Sequence, residues 1–192
     1  MTLAMKAGFF FLLTLLVAAP FSSGGIMPGG ALRIQMLCFA SAAAAVLANR
    51  TTTPLPRVTI LAILGITAVG VFQLLPLPPE LLSEISPMSV AVYRETNEIL
   101  QLFNRPALTP RISIAPRDTL RAILFVLSYL SAFVAGILLI RTRVQRTVVI
   151  GVLLGNCVVH VIYAARFQAD QERIHSTFAN PNHFAGYLEL GL

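Results

Sequence analysis

The sequence predicts an all-α polytopic membrane protein with five complete transmembrane helices and the start of a sixth. Three observations carry this prediction. Of 192 residues, 56% are hydrophobic and 11% charged, and the mean hydropathy is +0.79; soluble domains carry about 25% charged residues. The apolar residues are gathered into long runs rather than spread at amphipathic spacing. The cations stand between those runs instead of forming one patch.

The runs are Leu3–Pro20, Ala31–Ala48, Val58–Leu75, Thr119–Ile140 and Thr147–Ala165. As helices they reach about 27–33 Å, enough to cross a hydrocarbon core. A sixth helix starts near Pro181. Residues 1–75 thus hold the first three spans, 76–118 a loop, 119–165 the fourth and fifth spans, and 166–192 a second loop with the start of helix six. The first span has the look of a signal peptide, with Lys6, an apolar core and Val17-Ala18-Ala19. It is cleaved or retained; the spans that follow so closely favour a retained helix. Cys38 and Cys157 lie inside apolar runs and read as small fillers.

The formal net charge of +6 at pH 7 raises the question of nucleic acid. No basic patch with interleaved aromatics exists, so nucleic acid is not expected as a partner. Instead Lys6, Arg50, Arg57, Arg141, Arg143 and Arg146 all fall on one side if the spans alternate, and that side is expected to be cytoplasmic. The sequon Asn49-Arg50-Thr51 then lies on the wrong side for glycosylation. The loops 76–118 and 166–182 lie outside, with acidic and basic residues in balance. Arg33 and Arg121 near span ends can snorkel to the interface.

The first outer loop is proline-rich at both ends. In its middle, Ser86 suits an N-cap and Pro87 the first helical position, and Met88, Val92, Ile99 and Leu102 fall near one helical face. Two readings stand: an amphipathic helix lying on the membrane–water interface, or an irregular lid.

The stretch Arg173-Ile174-His175-Ser176-Thr177-Phe178-Ala179-Asn180-Pro181-Asn182-His183 is the one polar loop built for an anionic ligand. Asn180-Pro181 reads as a helix start whose free N–H groups and positive dipole end favour phosphate. Arg173 adds a forked donor, and Ser176, Thr177 and Asn182 add neutral ones. On the residues alone the same features also fit a plain N-capped helix preceded by a solvated charge. His175 and His183 are eight apart without a third ligand, so no metal is expected. His160, one turn from Asn156 inside the fifth span, is either a functional group or a hydrogen-bonded packing residue. Glu189 falls within the sixth span.

Thr177-Phe178, Asn180-Pro181-Asn182, His183 and Phe184-Ala185-Gly186-Tyr187-Leu188, preceded by Arg173, resemble the motif of the O-antigen ligase and O-antigen polymerase family of bacterial inner-membrane proteins. Ser176 stands where that motif has glycine. Weaker echoes lie at Pro20–Gly25, Leu75–Pro78 and Ile112–Thr119. The resemblance implies a multi-pass protein of the bacterial inner (cytoplasmic) membrane. It implies a glycosyltransferase of lipopolysaccharide biosynthesis that moves glycan from an undecaprenyl-pyrophosphate carrier to an acceptor hydroxyl in the periplasm. The acceptor is lipid A–core, a growing glycan or a protein. Arg173 is then the pyrophosphate contact, with Thr177, Asn180 and Asn182 as further substrate-binding residues. No metal or cofactor is implied. The histidine base of that family lies in a later, larger loop, so no catalytic residue is expected here, and the chain reads as an inactive fragment. The alternative from another class is a non-catalytic membrane subunit or a component of a lipid-linked glycan transporter, although the spans lack the polar, broken helices a transporter shows.

The charge asymmetry generates a topology test. In a background lacking Cys38 and Cys157, cysteines at Ser83 and Gln171 should react with a membrane-impermeant thiol reagent in intact spheroplasts. Labelling at Thr52 instead of these two sites would overturn the orientation.

Overall fold

A computed structural model describes residues 2–22, 28–48, 56–168, 175–178 and 180–189. Arg50, the sequon Asn49–Thr51 and Arg173 lie outside the described residues. Eight helices and no strand occur among the described residues: α1 (Leu3–Phe21), α2 (Pro28–Ala48), α3 (Arg57–Leu74), α4 (Pro79–Ile85), α5 (Pro87–Leu102), α6 (Pro116–Leu139), α7 (Arg143–Phe167) and α8 (Pro181–Glu189). Five of them, α1, α2, α3, α6 and α7, are long and apolar enough to cross a membrane. The protein is an all-α polytopic membrane protein, as the apolar runs predict. Helices α6 and α7 start three and four residues before their apolar runs. A run marks only the hydrocarbon-crossing part, whereas helical hydrogen bonding continues into the polar flank. At the start of α7 a capping box holds that extension: Gln145 N–H donates to Thr142 Oγ1 at 3.2 Å, and Gln145 Oε1 accepts from Thr142 N–H at 2.9 Å.

The chain forms two compact units. The first comprises Met1–Pro54 and Ser128–Leu192. Within it α1 lies along α2. Small buried residues of α2, Cys38, Ser41 and Ala45, form one stripe on that helix. Ser41 Oγ donates to the Gly8 carbonyl of α1 at 3.0 Å. The fit at Gly8 is tight: a Cβ would stand 3.2 Å from Ala44 Cβ and 3.3 Å from the Leu139 methyls.

Helix α1 also packs on α7. Pro20 has no N–H, so the Leu16 carbonyl one turn back loses its helical donor. Asn156 of α7 replaces it, with Nδ2 donating to Leu16 O at 2.9 Å. In an apolar surround a bare carbonyl is costly, and such interhelical bonds are worth about 0.6–2 kcal/mol.

The second unit is Leu55–Leu127. Its helix α3 exposes apolar side chains around most of its circumference, which suits a lipid-facing span. After α3, Pro79 opens the short α4 that the sequence reading did not foresee. The 87–102 segment is a helix, not an irregular lid. Pro87 takes the first helical position as expected, but Ser86 makes no side-chain cap; its hydroxyl pairs with Ser89 Oγ at 2.8 Å. Helix α5 ends in a Schellman motif. Asn104 adopts φ 51°, its N–H reaches Gln101 O at 3.0 Å, and Arg105 N–H reaches Leu100 O at 2.9 Å.

The buried face of α5 is polar. Ser89 Oγ donates to Ile112 O at 2.7 Å, Tyr93 Oη to Ser113 O at 2.8 Å, and Asn97 Nδ2 to Leu108 O at 3.0 Å while accepting from Leu108 N–H at 2.7 Å. The apolar stripe points outward, with Met88 74% and Leu102 82% exposed. This inside-out amphipathicity fits a helix resting on a membrane surface.

Glycines of α3 give a paired test. A Cβ at Gly70 would come within 2.6 Å of Ile123 Cγ1 on α6, while one at Gly65 meets nothing within 4 Å. Gly70→Ala should destabilise by about 1–3 kcal/mol. Gly65→Ala should be neutral or stabilise by up to about 1 kcal/mol. Unfolding of both in mixed micelles, followed by helical circular dichroism, measures this; equal effects would remove the tight crossing.

Candidate functional site

The polar loop is anchored on one stripe of α7. Asn156, His160, Ala164 and Gln168 recur every four residues, so they share a face, and all four are buried. Gln168 clamps the loop backbone. Its Oε1 accepts from the N–H groups of His175 at 3.1 Å and Ser176 at 2.7 Å, and its Nε2 donates to Ser176 O at 2.8 Å. One side-chain amide thereby satisfies three backbone groups that the loop, lacking secondary structure, leaves unpaired.

Ser176 sits at φ 52°, the left-handed region that favours glycine. Its hydroxyl donates to His160 O at 3.1 Å, and Thr177 Oγ1 donates to Pro20 O at 2.8 Å. Each hydroxyl has one proton, so both meet His160 Nδ1 as acceptors, at 2.9 and 3.3 Å. Nδ1 therefore carries the imidazole proton. His160 is fully buried, with its ring 4.5 Å from Phe21 and 5.7 Å from both Phe178 and Tyr187. Its Nε2 has no hydrogen-bond partner among the described residues.

Helix α8 begins as its sequence predicts. Asn180 Oδ1 accepts from Asn182 N–H at 2.8 Å, and Asn180 O accepts from His183 N–H at 3.1 Å and Phe184 N–H at 3.3 Å. Phe178, Phe184 and Ala164 form the small apolar core beneath, with Tyr187 and Leu188 packed against it.

The expected site residues are thus distributed over two sides of the loop. Thr177 faces inward, committed to Pro20 and His160. The Asn180 side chain is engaged in the cap, and Asn182 and His183 are exposed at the helix start. Arg173 lies outside the described residues. Among the described residues no group of three or more His, Cys, Asp or Glu side chains is placed to hold a metal. His160 proves to be hydrogen-bonded and packed, and the Asn156–His160 spacing showed that face in advance. Gln168 was missed. It lies just beyond the apolar run, and only its place four residues after Ala164 and eight after His160 marks it. Comparison with protein-family models, curated proteins and solved structures yields no match.

Ser176 sets backbone preference against side-chain bonding. Ser176→Gly removes the hydroxyl but relieves the left-handed backbone. Ser176→Ala removes the hydroxyl and keeps the strain. Alanine should therefore cost about 1–3 kcal/mol and glycine about 1 kcal/mol less, measured by thermal unfolding of purified protein in detergent. An equal cost would mean the left-handed conformation contributes nothing.

Proposed function

We propose that this chain forms part of a membrane glycosyltransferase of the O-antigen ligase kind, in the bacterial inner membrane. It moves glycan from an undecaprenyl-pyrophosphate carrier to an acceptor hydroxyl on the periplasmic side. The observation that carries the reading is the left-handed backbone at Ser176, φ 52°, at the position where the resembled motif has glycine. A motif glycine is a geometric requirement, and this loop has that geometry.

The rest of the arrangement supports the same chemistry. Gln168, His160 and Pro20 tie down residues 175–177, so the start of α8 is held against α7. Its first N–H groups are taken up by Asn180, so what it offers a phosphate is the positive dipole end, with the Asn182 side chain exposed beside it. Arg173, two residues before this anchored segment, supplies the guanidinium fork for the pyrophosphate. The acceptor is lipid A–core, a glycan or a protein hydroxyl.

Arg173 tests the reading. Arg173→Ala should weaken retention of undecaprenyl pyrophosphate by the purified chain by about 1.5–3 kcal/mol, and Arg173→Lys should be impaired because it lacks the planar fork. Native mass spectrometry of the detergent-solubilised protein with graded carrier lipid measures both. Unchanged retention by well-folded Arg173→Ala would make this arginine a solvated loop charge.

A further inference from the structure

Outside the motif loop, the second unit contains a cleft of about 510 Å³ between α5, the 108–115 segment and the first turn of α6. Arg111 and Arg117 line it, with Tyr93, Leu108, Ile114 and Asp118. Asp118 is paired with Arg121 at 3.2 Å. Neither Arg111 nor Arg117 has a carboxylate partner among the described residues. Tyr93 does not neutralise Arg111: its phenol is buried and donates to Ser113 O, and burial raises its pKa more than the neighbouring Arg111 lowers it. Taken together, the lining carries two guanidinium groups with no ion-pair partner among the described residues and one carboxylate, Asp118, which pairs with Arg121 outside the lining.

The wall bearing Arg111 is held at residues 108 and 111–113. Leu108 is bound through both its backbone groups to Asn97. Arg111 forms an antiparallel bridge with Pro76. Ile112 O accepts from Ser89, and Ser113 N–H donates to Gln73 O at 3.0 Å. The backbone that presents Arg111 is thus ordered before an anion binds, and only the side chain has freedom left to lose. Arg117 stands in the first turn of a membrane-crossing helix, which puts the cleft at the depth of lipid headgroups. Leu108 and Ile114 add exposed apolar surface beside the cations. The outward apolar stripe of α5 gives the same unit a lipid-resting face.

We infer that this cleft is a phosphate-binding site at the membrane interface, in which Arg111 and Arg117 grip the phosphate of a lipid headgroup while Leu108 and Ile114 contact its apolar part. The ligand chemistry is a phosphate ester, and the inference stands apart from the donor site at the motif loop. Free phosphate shares the chemistry but has no apolar part.

The test uses the purified 192-residue chain in a neutral detergent, titrated calorimetrically with dihexanoyl phosphatidylglycerol, inorganic phosphate and dihexanoylglycerol. The phosphatidylglycerol should bind, and Arg111→Gln with Arg117→Gln should weaken it at least tenfold. Arg94→Gln with Arg105→Gln, which removes the same charge from the same unit, should change it less than twofold. Phosphate binding as tightly as the lipid would place the source in solution and overturn the lipid assignment. Dihexanoylglycerol binding equally well would show an apolar groove only. Equal loss in both double variants, or loss in neither, would reduce the arginines to diffuse surface charge. Helical circular dichroism checks each variant; if the cleft pair fails to fold, Arg117→Gln alone, at an exposed position, should still lose about threefold, and no loss there would overturn the site.

Discussion

A proline inside a membrane helix leaves a carbonyl that water cannot reach, and much of the first unit is organised around meeting that need. Pro20 frees Leu16 O; Asn156 takes it. At the end of the same helix Pro20 O is taken by Thr177. These bonds join α1 to α7 and to the loop before α8, and His160 stands among them as the buried ring against which that loop closes. In a bilayer, where apolar contact alone gives helices little reason to prefer one neighbour, such bonds supply register and direction. The position of the α8 start is therefore a consequence of where α1 breaks its own hydrogen-bond ladder.

Long apolar runs and proline positions were legible from the residues. The runs gave all five spans to within a few residues, and Asn180-Pro181 marked the start of α8. What stayed hidden has a common cause. Gln168 bonds to backbone groups of a loop seven and eight residues on, and side-chain composition carries no trace of a backbone N–H donor. Ser86 occupies an N-cap position but turns to Ser89 instead, because the next segment supplies Ile112 O as a partner for that serine pair. Helix α4 is too short to show a period. The stripe of α5 was visible as apolar residues on one face; that the opposite, polar face would be the buried one depends on the hydrogen-bond acceptors of residues 108–113.

Two polar features with different constructions emerge. The motif loop is held by side chains of a spanning helix reaching out to backbone, and its exposed side is a helix start. The cleft of the second unit is held by α5 side chains reaching to an irregular segment, and its exposed side is a pair of arginines. Helix dipole and guanidinium both favour anions, but the first is a diffuse partial charge and the second a directed fork.

The inverted face of α5 has a calorimetric consequence. Its contacts with residues 108–113 are hydrogen bonds, and Met88, Ile99, Leu102 and Phe103 stay uncovered. Releasing this helix from the segment beneath it therefore exposes hydroxyl, amide and carbonyl groups together with the buried Tyr93 ring. Apolar exposure raises heat capacity and polar exposure lowers it. Local opening of α5 thus carries a smaller heat-capacity increment than release of an apolar face of the same size, and the stability of this contact curves less with temperature.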